Sequence, residues 1–140
     1  MQNIRYKILY NKGRAPTEEV DKTLYSIHSA ERCLVLPNER KIINCFLELD
    51  IPEGFLGYVF TNKELYFRNG ITICNEIVFP GKKELQLILT NANMAKAKIM
   101  MSDYEKIIGE KGKIDIYIGD KIANFILIEQ NKCSFIENED

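Results

Sequence analysis

Between Lys41 and Ile51 an apolar residue recurs at every second position from Ile43 onward. Ile43, Cys45, Leu47, Leu49 and Ile51 fall on one side, and Asn44, Glu48 and Asp50 on the other. A helix would scatter these positions around its axis, whereas a strand places them on two faces, so the pattern predicts a half-buried strand. Leu85, Leu87 and Leu89 repeat the pattern in 84–90, and Ile114, Ile116 and Ile118 repeat it in 114–118. Further short β-type runs cover 4–10, 24–27, 32–36, 57–61, 71–73, 77–79 and 122–128. Between several of them lie turn signals: Asn11-Lys12-Gly13, Pro37-Asn38, Pro52-Glu53-Gly54 and Pro80-Gly81. The clearest helical segment, 62–69, is predicted as a single turn that Gly70 closes in the manner of a C-cap. Ten or so short strands with scraps of helix predict an all-β domain: a sandwich, jelly roll or barrel.

Composition narrows the function classes. The 140 residues fit one domain with a real core. Nineteen basic and twenty acidic side chains leave a net charge of −1, which argues against nucleic-acid binding over the whole surface. No run approaches 18 apolar residues, so no membrane helix is expected. The opening MQNIRYKILYNKGR places charges inside its apolar stretch and does not read as a signal peptide. Cys33, Cys45, Cys74 and Cys133 form no CxxC pair, and His28 is the sole histidine, so no zinc site is predicted. Scattered reduced cysteines fit an intracellular protein, cytoplasmic or nuclear in a host cell and not secreted.

Four stretches together resemble the trimeric deoxyuridine triphosphatase (dUTPase) family. They are IRYKILY with RAPTEEVDKTLYS and LVLPNER, then LDIPEGFLGYV, LYFRNGITI and IGDKIANFILIE. Their order and most spacings agree with the family over residues 4–129. The resemblance implies a dUTPase-like distorted β-barrel or jelly roll over 1–132, an acidic mobile tail over 133–140, and an insertion at 92–112. It implies a homotrimer, because family active sites form between subunits. Its enzymes hydrolyse dUTP to dUMP and pyrophosphate with magnesium.

The departures bear on function. Thr23 stands where the family's first motif has a magnesium-coordinating Asp. Thr61-Asn62-Lys63-Glu64 replaces the phosphate-binding Pro-Arg-Ser-Gly. Val78 and Gly81 fall at the positions of the general-base Asp and the Tyr packed under the sugar. NKCSFIENED replaces the Gly-rich C-terminal arm. The fourth motif, with Gly119, Asp120, Ile122 and Ala123, is retained, and a β-turn leading into a core strand explains that retention by folding alone. In-line attack on a phosphoanhydride needs a base, charge stabilisation and metal. The expectation is therefore a non-catalytic dUTPase-fold binding module, viral and directed at a host protein, with no catalytic, cofactor or metal residues. The alternatives are an active magnesium-dependent deoxynucleotide pyrophosphatase and a nucleotide-sequestering protein.

Single residues have simpler readings beside functional ones. Gly119-Asp120 reads as a turn pair, a lone His28 as structural or exposed, and Cys45 as buried and inert. Asp103, Glu105 and Glu110 are interleaved with Lys106, Lys111 and Lys113 and read as a solvated face. Phe55, Tyr58, Phe60, Tyr66 and Phe67 read as core or as packing between subunits. Met94, Met100, Met101 and Tyr104 are adaptable contact residues and form the candidate partner surface, against the reading that the segment extends the core.

Overall fold

The computed structural model describes residues 2–93 and 112–139. The candidate surface Met94, Met100, Met101 and Tyr104 lies outside the described residues. Among the described residues eleven strands and one helix follow in order: β1 (Arg5–Ile8), β2 (Thr17–Glu18), β3 (Tyr25–His28), β4 (Cys33–Val35), β5 (Arg40–Ile51), β6 (Phe55–Phe60), α1 (Lys63–Asn69), β7 (Ile71–Ile73), β8 (Glu76–Val78), β9 (Gly81–Asn91), β10 (Ile114–Ile116) and β11 (Lys121–Glu129). A four-stranded sheet runs β1-β5-β9-β7, a five-stranded sheet runs β2-β3-β11-β6-β8, and β10 pairs with β4. All pairings are antiparallel. The architecture is all-β with jelly-roll-like sheets; among the described residues the sheets do not close into a barrel.

The long alternating strand behaves as its pattern dictates, with one addition. Asn44 pairs with Gln86 and Glu48 with Glu84, so β5 takes four steps where β9 takes two. An even excess keeps the side-chain parity, so Ile43, Cys45, Leu47, Leu49 and Ile51 all stay buried through the irregularity. Phe46, at the irregularity, adopts φ 47°, its carbonyl accepts from Leu9 N at 2.9 Å, and its ring lies 5.3 Å from that of Tyr10. The bulge thereby seats the segment after β1.

One core joins the sheets: Ile27, Val59, Val78, Ala123 and Phe125 from the five-stranded sheet meet Leu47, Leu49, Leu85 and Leu87 from the four-stranded one. The two outer faces differ. On the four-stranded sheet Arg5, Asp50 and Lys82 form one cross-strand row and Lys7, Glu48 and Glu84 another. On the five-stranded sheet the rows are Ile128 with Leu56, and Ile126 with Tyr58 and Ile77, all partly or well exposed.

Helix α1 has two turns, not one. Asn62 caps its start, with Oδ1 accepting from Leu65 N at 2.9 Å, and Gly70 ends it in the left-handed region at φ 74°. Two features depart from the sequence reading. The two-residue β2 lies between the predicted runs 4–10 and 24–27, where no strand was expected, and Ile118 is exposed in a turn because the alternation of β10 stops at Ile116. Beyond Glu129 the described tail has no strand pairing and is exposed throughout.

Candidate functional site

A groove of about 540 Å³ opens where three of the four resembling stretches meet. Leu24, just before β3, forms one wall. Phe60 ends β6 and delivers Thr61, Asn62, Lys63 and Glu64; Phe67 projects from α1, and Asn124 comes from β11. The polar groups at its base are committed to the fold. Asn62 Nδ2 donates to Asn124 Oδ1 at 2.9 Å, and Asn124 Nδ2 donates to the Tyr25 carbonyl at 3.1 Å. Thr61 Oγ1 donates to the Ile73 carbonyl at 3.1 Å and accepts from Ile73 N at 3.0 Å, which ties the groove to β7. At the rim Glu64 pairs with Arg68 at 2.9 Å, one helical turn away. Phe67 is 90% exposed and Tyr66 about half exposed, so neither belongs to the core; Tyr58 and Phe60 stack at 5.4 Å.

The other positions singled out by the sequence lie elsewhere. Thr23 is exposed, and its N–H and hydroxyl both donate to Asp21 Oδ1, at 3.0 and 2.8 Å. Those two hydrogen bonds hold the Asp21 carboxyl below its ordinary range. Val78 is 1% exposed and sits in the core opposite Gly57, whose missing Cβ leaves room for the Phe125 ring: a Cβ there would lie 2.6 Å from Phe125. Gly81, at φ 107°, opens β9 with nothing within 4 Å of a Cβ. Neither Val78 nor Gly81 lines the groove. Glu76 is 3.9 Å from Lys83.

In the fourth motif Gly119 adopts φ 92°. Asp120 closes the turn, with Oδ2 accepting from Tyr117 N at 2.8 Å, while Ile122 and Ala123 are buried. His28 packs beneath this turn, 4% exposed. Its Nδ1 lies 2.9 Å from the Gly119 carbonyl and its Nε2 2.8 Å from Thr17 Oγ1. A carbonyl can only accept, so Nδ1 carries the proton and Nε2 accepts from Thr17. Desolvation pushes the His28 pKa down. Beside it Ser26 Oγ donates to Glu19, and Lys121 lies 3.1 Å from the same carboxylate oxygen; both hold Glu19 below its ordinary range. The donor set does not fit a magnesium ion. Among the described residues no three His, Cys, Asp or Glu side chains cluster, and the one carboxylate beside Thr23 is turned onto the backbone.

Sequence reasoning placed Asn62 at the start of a helix but missed its bond to Asn124. The available signal was Asn124 itself, the lone polar residue in the otherwise apolar run from Ile122 to Ile128.

Comparison with known proteins gives a consistent picture. The deoxyuridine 5'-triphosphate nucleotidohydrolase of Encephalitozoon cuniculi is 32% identical over 93 residues, spanning 65% of this chain and 65% of that relative, just under two thirds of its length. The corresponding protein of Tropheryma whipplei (strain Twist) is 22% identical over 135 residues, 94% of this chain and 82% of that relative. The chain resembles proteins of the dUTPase superfamily in sequence and in fold. A solved structure of the Staphylococcus bacteriophage 80alpha dUTPase with dUPNHPP shares this superfamily fold. It has a TM-score of 0.79 at 18% identity, covering 100% of this chain and 90% of that one. That protein is one of the phage dUTPases described as controlling transfer of virulence genes by a proto-oncogenic G protein-like mechanism. No protein-family model matches the chain.

Proposed function

We propose that this chain is a dUTPase-fold protein that binds a protein partner and does not hydrolyse dUTP. The observation that carries the reading is Val78, a buried hydrocarbon at the position that the resemblance aligns with the general base. A buried Val neither accepts a proton from water nor stabilises charge, and loss of a general base alone typically slows reaction about 10²–10⁴-fold. Asn62, at the register of the phosphate-binding motif, spends its carbonyl oxygen on the α1 cap and its amide on Asn124.

A protein partner is supported by exposed aromatic surface beside the groove and by the description of the phage relatives as regulators. The proposal extends to a viral origin and a host-protein partner, with contacts from Met94, Met100, Met101 and Tyr104, and to a homo-oligomer, a trimer in the form the resemblance implies. Pyrophosphate release measured with magnesium and each deoxynucleoside triphosphate tests the catalytic half. The expected result is no release above the buffer rate. Turnover that disappears in Asp21→Ala or Glu76→Ala protein would overturn it, because those are the carboxylates nearest in sequence to the altered positions.

A further inference from the structure

We propose that Thr17 is an activated nucleophile with His28 as its general base, and that it accepts an acyl group from a small anionic donor of the acyl-phosphate class. The proposal is independent of the dUTPase reaction and of the protein-partner reading above.

A threonine hydroxyl is a weak nucleophile at neutral pH. It is activated by a base within hydrogen-bond reach that is itself oriented by a third group. Thr17 Oγ1 lies 2.8 Å from His28 Nε2, and His28 Nδ1 lies 2.9 Å from the Gly119 carbonyl. The three groups come from β2, β3 and the turn before β11, so only the tertiary fold assembles them. With the proton fixed on Nδ1 by that carbonyl, the Nε2 lone pair faces the Thr17 hydroxyl. Burial holds the ring neutral. Arg14 and Lys121 add to that effect, while the Gly119 carbonyl and Glu19 work against it. Asp120, in the same turn, spends its carboxylate on Tyr117 N.

Access separates Thr17 from the second hydroxyl beside it. Ser26 pairs with Thr17 across the ladder, but it is fully buried and donates to Glu19. Thr17 is half-buried on a strand that pairs with β3 alone, so one edge of β2 stays open. An open edge presents unpaired N–H groups, the donors that a carbonyl oxygen under attack requires. Arg14 and Lys121 are exposed and act on His28 as nearby positive charge, which favours an anionic donor over a neutral ester.

In the step, Thr17 Oγ1 bonds to the carbonyl carbon of the acyl phosphate and its proton passes to His28 Nε2. The bond from that carbon to the phosphate oxygen breaks, and inorganic phosphate leaves with the electron pair. The imidazolium then returns its proton to solvent. The product is an ester on Thr17, and nothing is oxidised or reduced.

The experiment incubates the full chain with acetyl phosphate and maps its peptides by mass spectrometry. The expected product is one acetyl group on Thr17 that neutral hydroxylamine removes, as it removes esters and not the amides of acetylated lysines. Thr17→Ser is expected to keep the ester and Thr17→Val to lose it. His28→Gln keeps a carbonyl oxygen that accepts from Thr17 but takes up no proton, so it is expected to slow labelling about 10²–10⁴-fold while retaining its β circular dichroism. The wild-type rate is expected to rise with pH and to level off by about pH 6.5, once the ring is neutral. Acetylation confined to lysines, or a phosphoryl group on Thr17, overturns the proposal. So does a Thr17 ester that forms as fast in folded His28→Gln protein as in wild type. Should that variant not fold, the wild-type profile decides: a rate that keeps climbing through alkaline pH, as an unassisted hydroxyl's does, overturns the role of His28.

Discussion

Replacing Asn62 separates a structural from a ligand-binding role at the register of the phosphate motif. Asn62→Ala removes two interactions at once. Loss of an N-cap costs about 1 kcal/mol. The Asn124 Oδ1 that accepted from Asn62 Nδ2 belongs to a residue only 3% exposed, and an orphaned buried acceptor costs roughly 1–3 kcal/mol. The sum is about 2–4 kcal/mol, or on the order of 6–14 °C in melting temperature for a domain of this size. Asn62→Asp keeps an oxygen for Leu65 N and adds charge that the helix N-terminus favours, but it sets a carboxylate oxygen against Asn124 Oδ1 in place of the bond. Both variants are expected to be less stable than wild type. Urea unfolding at fixed protein concentration measures it, since an oligomer's midpoint depends on concentration. In a double-mutant cycle, Asn124→Ala is expected to cost less in the Asn62→Ala background than alone, with coupling of about 1 kcal/mol. A melting point for Asn62→Ala within about 2 °C of wild type would refute the reasoning. So would unchanged stability combined with loss of a nucleotide-induced thermal shift, which would return Asn62 to a binding role.

Two further outcomes follow from buried groups. Burial lowers the His28 pKa from its ordinary 6.5, so the unfolded chain takes up a proton at a higher pH than the folded one; stability is then full above about pH 6.5 and falls as pH drops below it. Urea midpoints between about pH 7 and 5 should decline for wild type and flatten for His28→Gln, and equal slopes would count against the buried neutral ring. Burial also pushes the Cys45 thiol up to about 12, so iodoacetamide at mildly alkaline pH should label Cys74 and Cys133 and spare Cys45 until the chain unfolds. Mass spectrometry showing Cys45 labelled as fast as Cys74 in folded protein would contradict its burial.

Much of the architecture was readable because the strongest strands carry their burial in parity. Lys41–Ile51, Leu85–Leu89 and the first part of 114–118 each show the face they bury, and Gly70 announces the end of α1 because the left-handed cap needs no Cβ. Weak elements were not readable. β2 is two residues long and is fixed by pairing with β3, a contact of tertiary origin that leaves no local period. The even bulge around Phe46 left no trace either, since two extra residues restore the alternation that one would have broken. At the groove, Asn62 could be read as a helix start from its neighbours, but its bond to Asn124 spans 62 positions and depends on register between strands.

The positions that depart from the family's motifs are also committed to the fold. Thr23 closes a turn on Asp21, Asn62 caps α1, and Val78 fills core beside Gly57 and Phe125. A carboxylate placed at Val78 would enter a site with no polar partner, where desolvation raises its pKa and the neutral acid becomes the favoured form. Such a group would be a poor base and a destabilising one. A side chain at this position would reach the groove only if β8 moved or the contact between Gly57 and Phe125 opened. Substituting one residue at a time leaves β8 where the core packing holds it.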